Sequence, residues 1–427
     1  DTSNADVNIT SFTQSGAGAV SIAGDITCSS TIQFVTTSFA LTGNVLLSGN
    51  VVALTSAITL SSLSSYELSV VGKLQAYNDV TANVNVNALG DVVSNGKWTG
   101  SKSLIFAGSN NQIFNPKTGT SYSSVYIIKT VGTFTCVRAN ADSGTAAVTF
   151  TNINIDSASP TITFGFDKGL NITGTIDIDD SKAVVFNNTV TIATMTADKS
   201  DSLTFNGPTT ITTVSIDNNG STTFNDTATI ATISIDNNGT TTFNDTATIT
   251  TFNVDDNTST TFNGTTSITN ISDTTDSGTF TFNDGVTFSN NVTLNTTKLV
   301  TFKGTTNLGA AGARKNFTHT GGITNINGTF NAKDVSLGAM TATQELTINA
   351  DDISVNGTLT ADKKLDIAGG NAVTVSGNIT VGGELKVNAG SLRAGADITT
   401  ADTADFKCKV SSSSNMTFTN SKYVKTE

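Results

Sequence analysis

Phe224-Asn-Asp-Thr-Ala-Thr-Ile230 is followed, 19 residues later, by Phe243-Asn-Asp-Thr-Ala-Thr-Ile249. Related copies begin at Phe186, Phe205 and Phe262 with the same step, and at Phe282 and Phe302 after steps of 20. A fixed period near twenty is the sequence form of a solenoid: one coil cannot bury its own apolar face, so neighbours must stack to do it. The expected fold is therefore all-β, a parallel β-helix or β-solenoid with roughly triangular coils of about 19–20 residues and right-handed winding.

Within one copy the inward candidates fall in pairs spaced by two: Thr222 with Phe224, Ala228 with Ile230, and Ile233 with Ile235. Spacing by two places both members of a pair on one face of one short strand, so three short strands per coil are expected. Asp236-Asn-Asn-Gly239 closes the copy, and Asn and Gly tolerate the positive φ of a tight turn. Stacking like upon like should set Phe over Phe and Ile over Ile, and the β-branched residues suit such a sheet.

The pattern loosens outward from this stretch without vanishing. Ile22-Ala-Gly24-Asp-Ile26 and Leu41-Thr-Gly43-Asn-Val45 are again 19 apart, and Val375-Ser-Gly377-Asn-Ile379 repeats the same turn late in the chain. Three regions are expected: a cap or assembly segment at 1–20, the β-helix at 21–410, and a linker with a terminal strand at 411–427. Aromatic, Pro and Gly residues at 96–130, and the Gly- and Ala-rich run at 308–322, read as irregular insertions leaving the coil.

Two columns stand out in the repeats. Asn187, Asn206, Asn225, Asn244, Asn263 and Asn283 occupy one turn in successive coils, where stacked amides can donate to and accept from each other. Asp179, Asp198, Asp217, Asp236 and Asp255 form a second column. Carboxylates one coil apart repel, so this column is expected to be a solvated acidic edge or, alternatively, to be bridged by calcium. No other cofactor is indicated.

The chain carries 22 Lys and Arg against 34 Asp and Glu, a formal net charge of −12, which argues against nucleic acid or an anionic membrane surface as partner. No apolar run approaches the roughly 20 residues of a transmembrane helix. The start at Asp1 is read as a mature product whose secretion signal has been removed, placing the protein outside the cell or on its surface. Cys28, Cys136 and Cys408 each have apolar neighbours two residues away and are expected to be buried free thiols, although an odd count also allows a bond between subunits.

In a secreted chain the sequons at Asn219 and Asn238 fall in expected exposed turns and are candidate glycosylation sites. Trp98, Tyr122 and Tyr126 are the candidate contacts for a glycan, since aromatic rings stack on sugar faces; packing beneath a loop is the alternative. Catalytic signatures are missing from the sequence, and Arg314, Lys315 and His319, or the Asp column, would be the only groups for a polysaccharide-acting enzyme. His319, in its Gly-rich run, is expected to be exposed.

With Phe-Asn-[Asp/Gly]-Thr-x-Thr-Ile at a step of 19, the chain resembles the β-helical shafts of filamentous-haemagglutinin and autotransporter surface proteins, in period and composition. The resemblance implies an extracellular structural or adhesive role. The expected function is a non-enzymatic structural subunit of a fibre, sheath or surface layer, joining copies of itself head-to-tail through the ends of the solenoid. A glycan-binding adhesin is the alternative, and a polysaccharide-acting enzyme the third reading.

Overall fold

The computed structural model describes residues 7–16, 18–62, 64–129, 131–137, 146–156, 161–273, 278–418 and 424–426. Among them there are 48 strands and no helix, and the strands stack in parallel as a β-solenoid of about 20 turns. Residues up to 214 with 219–221 form one compact unit, and 215–218 with 222 onward form a second.

The repeat is plainest in the second unit. Thr222, Phe224, Ala228, Ile230, Ile233 and Ile235 are all at most 2% exposed, so all three inward pairs face the core as expected. The second and third pairs belong to one continuous strand, Ala228–Asp236, rather than to two. Ala231 and Thr232 are consecutive outward positions within it, so the chain turns its corner there without leaving the ladder. Each coil pairs residue for residue with the next: Ile230 with Ile249 and Asp236 with Asp255, Phe243 with Phe262, and Phe262 with Phe282.

Register turns identical side chains into columns. Phe224, Phe243, Phe262, Phe282 and Phe302 stack with ring centroids 4.7 to 5.1 Å apart and planes within 5° of parallel. The spacing is that of hydrogen-bonded strands, roughly 4.8 Å, so the backbone ladder dictates the ring spacing. In the first unit Phe164, Phe186 and Phe205 form a column of the same kind, at 5.1 and 4.9 Å.

The turn that closes each copy is also a column. Asp180 and Lys199 in the first unit, and Asn218, Asn237 and Asp256 in the second, hold φ between 43° and 52°. A left-handed backbone costs a non-Gly residue on the order of 1 kcal/mol, with Asn and Asp the types that adopt it most readily, and four of these five are Asn or Asp. Lys199 is the exception, and the fixed pairing on either side of its turn holds it there.

Several expectations need correcting. The described part of 96–130, residues 96–129, does not leave the coil: Trp98–Thr99, Leu104–Phe106, Gln112–Pro116 and Ser121–Ile127 are parallel strands of the stack. What varies is the step between paired residues, 24 for Trp98 and Tyr122, 21 for Leu104 and Val125, and 22 for Phe114 and Cys136. Within 308–322 only a small antiparallel hairpin departs, pairing Gly309 with Arg314 and Ala310 with Ala313. Gly309 and Gly312 supply its positive φ, 73° and 113°. Phe317–Ile326 then resumes the parallel ladder.

Coil pairing also exceeds the expected 21–410 span. Val7–Ile9 pairs with Ile26–Cys28 and Phe12–Ser15 with Ile32–Val35, so these described residues of the 1–20 segment are strands of the stack. Met416–Phe418 and Val424–Thr426 pair with the strands before them. All three cysteines are free; Cys28 and Cys136 are buried, whereas Cys408 is half-exposed, at the register shift between Lys407 and Lys409 of its strand. Burial pushes the Cys136 thiol well above its ordinary pKa.

Candidate functional site

The acidic column is resolved differently in the two units. In the first, Asp179 pairs with Asp198 one coil on. Lys199, at the left-handed turn position, places its ammonium 3.0 Å from Asp198 and 3.7 Å from Asp179. The hydrogen bond to Asp198, with the Asp179 charge behind it, raises the Lys199 pKa. In the second unit Asn218, Asn237 and Asp256 stand where a lysine would. There the Asp236 carboxyl is pushed above the ordinary range, first by loss of water around it and then by the charges of Asp217 and Asp255. Ser215, Ser234 and Asn253 line a hollow of about 120 Å³ with Asp236 and Asp255. Oxygen donors of these types suit a hard cation, but no group of three or more His, Cys, Asp or Glu is placed to hold a metal ion among the described residues.

The amide column forms within each unit. Asn206 donates to Asn187 at 2.9 Å; Asn244 to Asn225, Asn263 to Asn244 and Asn283 to Asn263 follow at 2.6 to 2.7 Å. In all four bonds the Nδ2 donates toward the preceding coil. A second row, Asn307, Asn331 and Asn349, repeats the arrangement at 2.8 and 2.7 Å. Its steps of 24 and 18 residues hide it from any search at a fixed period.

Asn219 and Asn238 are not exposed. They are 2% and 1% accessible, because the left-handed residue before each swings the next side chain inward. The Nδ2 of Asn238 donates to the Thr241 hydroxyl at 2.8 Å and to the Thr240 carbonyl at 3.2 Å. Asn219 accepts from the Ser200 N–H at 2.7 Å. Neither amide is presented for glycan transfer in the folded chain. Asn257, in the same column, donates to Thr260 and Ser259 in the same way. The signal was present in Ser181, Ser200, Asn219, Asn238 and Asn257, a column of small polar residues with the period of the core.

Of the three aromatic candidates only Tyr126 reaches the surface, at 38% exposure. Trp98 and Tyr122 are 3% and 1% exposed. The Trp98 indole donates to Ser94 Oγ at 2.9 Å, and the Tyr122 ring stacks on Phe150 at 5.3 Å. Neither ring has a face open to a sugar. The same stretch buries a cation: Lys129 Nζ donates to the carbonyls of Gly108 and Asn110 and to Gln112 Oε1, the latter two at 2.8 and 2.9 Å. Burial pushes its pKa down.

His319 is likewise inside the coil, at 0% exposure. It lies two residues beyond Phe317 on one strand, so both face inward. Nε2 lies 3.0 Å from the Thr296 carbonyl, which can only accept, so Nε2 carries the proton and Nδ1 accepts from the Thr324 hydroxyl at 2.8 Å. Burial lowers its pKa, against a smaller opposing pull from the Thr296 carbonyl and the Asp273 charge. Arg314, on the hairpin, donates to the Asn349 carbonyl at 3.2 Å. The three groups that a catalytic reading would combine are thus split between core and surface.

No known family model matches the chain, and neither the curated proteins nor the solved structures contain a match. The fold is consistent with β-helical surface proteins in general. Among the described residues no helix is long and apolar enough to cross a membrane.

Proposed function

We propose that the chain is a non-enzymatic structural subunit of an extracellular fibre, sheath or surface layer, joined to copies of itself through the outermost coils. One observation carries this reading. Among the described residues, Val7–Ile9, Phe12–Ser15 and Val20–Ile22 pair on one side only, with the strands that follow them. Met416–Phe418 and Val424–Thr426 pair only with the strands that precede them. Edges of this kind accept another strand. Because all strands of the stack run in parallel, a first coil set against a last coil continues the ladder head-to-tail, the geometry of an open polymer. Ile9 and Met416, 37% and 49% exposed, lie on these coils. The likeness in period and composition to filamentous-haemagglutinin and autotransporter shafts supports the extracellular placement. The role needs no cofactor; calcium at the acidic column would be an addition to it.

Electron microscopy and sedimentation of the purified chain provide the test. Filaments that lengthen with protein concentration are expected, and deletion of residues 1–20 or of 411–427 should leave single particles. Filaments of normal length from either deletion would remove the basis for end-to-end joining.

A further inference from the structure

The outer face of the second unit carries a hollow where the repeat is broken. A groove of about 370 Å³ lies over the strands Phe317–Ile326, Asp334–Ala342, Leu346–Val355 and Leu365–Val375. At its side, between the tip of the hairpin and Lys333 and Asp351, opens a second hollow of about 610 Å³. The two adjoin through consecutive residues, Lys333 with Asp334 and Asp351 with Asp352. Volumes of this order are those of ligand sites.

The floor of the groove is a ladder of hydroxyls. Thr318 pairs with Ser336, Ser336 with Ser354, and Ser354 with Thr374, one per coil. Two residues before the serines, Asp334 pairs with Asp352. The Asp352 carboxylate is held by the Ala372 N–H at 3.0 Å, and Asp334 lies 3.6 Å from the Lys333 ammonium. Donors and acceptors therefore recur at the coil spacing, roughly 4.8 Å, on a surface that other strands keep rigid.

We propose that this groove binds a linear, uncharged polysaccharide running across successive coils. Such a chain presents hydroxyls at a regular interval and can both donate to the carboxylates and exchange hydrogen bonds with the serines and threonines. A polyanion would meet two fixed carboxylates within a protein of net charge −12. An extended peptide is disfavoured for another reason: backbone groups in these strands are committed to the coils above and below, so no sheet edge is offered to it. The groove lies on the flank of the coil stack and does not depend on end-to-end joining.

Affinity electrophoresis of the full chain tests this, in gels cast with a soluble neutral β-glucan, a neutral mannan or polygalacturonate. Retardation is expected in at least one neutral gel and not by polygalacturonate. The double variant Ser336→Arg/Ser354→Arg fills the floor from outward positions and should weaken retardation at least tenfold. Thr191→Arg, outward on the first unit, should leave it unchanged, and matching circular dichroism spectra establish that the variants fold. Free migration in both neutral gels, undiminished retardation of the double variant, or stronger retardation by polygalacturonate would each overturn the assignment.

Discussion

Two stretches of the second unit obey the same coil plan with different results. From 222 to 302 every copy is 19 or 20 residues long, and five phenylalanines stack within 5° of parallel. From 303 to 349 the step between paired residues is uneven. There Phe302, Phe317 and Phe330 meet edge to face at 71° to 81°, a histidine is buried, and a hairpin breaks the surface. Both stretches fill their core with aromatic rings. Equal steps therefore govern how the rings meet, not whether they are buried: with equal steps each ring of the column lies flat on copies of itself, with Phe252 and Phe288 touching it edge-on from the side, and with unequal steps the edge-to-face contacts replace the flat ones.

The largest expected effect probes that distinction directly. Phe243→Ala opens a void between two flat rings that the backbone ladder holds apart, so little can collapse into it. Its cost should lie near the top of the range for such substitutions, about 5 kcal/mol. Phe330→Ala leaves Phe302 and Phe317 free to tilt inward, and its cost should be nearer about 3 kcal/mol. Denaturant midpoints of the two variants check the order; equal costs would mean that step length does not control how well the core relaxes.

A smaller effect is specific to the uneven stretch. The buried His319 imidazole is held neutral, its pKa below the ordinary 6.5. The folded state thus binds its proton less readily than the unfolded chain does. This contribution to stability is complete above about pH 6.5 and is lost as pH falls from there toward the folded value. Asp273 is the charged group acting on it, and its attraction for the protonated ring only partly offsets burial. The melting temperature should fall between pH 7.5 and pH 5, and His319→Gln should show a shallower fall. An identical fall in both proteins would assign the acid sensitivity elsewhere.

The smallest effect belongs to the even stretch. Asn237 stands at the same turn position that Lys199 holds in the first unit, with φ 46° against 51°. Asn237→Lys should set an ammonium among Asp217, Asp236 and Asp255 and bring the Asp236 pKa down, as read by NMR titration of the carboxyl. The melting temperature should barely move, because exposed ion pairs contribute little. An unchanged Asp236 titration would show that turn position alone does not deliver the lysine to the carboxylates.

The same contrast explains what was legible in the sequence. Phe224, Ile230 and Ile235 could be placed because the period and the alternation agree at each of them. At Trp98, Tyr122 and His319 the alternation was equally sound, as Phe317-x-His319 illustrates. Unequal steps removed the period there, and Gly, Pro and aromatic content then suggested loops. Asn219 and Asn238 failed for a different reason. Their turn was recognised, but the inward swing of the residue after a left-handed one is a three-dimensional effect that strand alternation does not encode. The groove at Ser336 and Ser354 lay beyond reach because its floor joins residues 18 to 20 apart on coils whose lengths differ.

The one-way amide row has a bearing on how such a chain can change length. Within the row Asn225, Asn244, Asn263 and Asn283 each bond gives from one coil to the coil behind, and each Phe of the column rests on rings like its own. A tandem duplication of one whole copy would thus slot in with every contact remade, as would loss of one. Gain of a single residue would instead flip the parity of a strand and strand a phenylalanine outside. Growth in whole modules is the mutational path that this architecture tolerates.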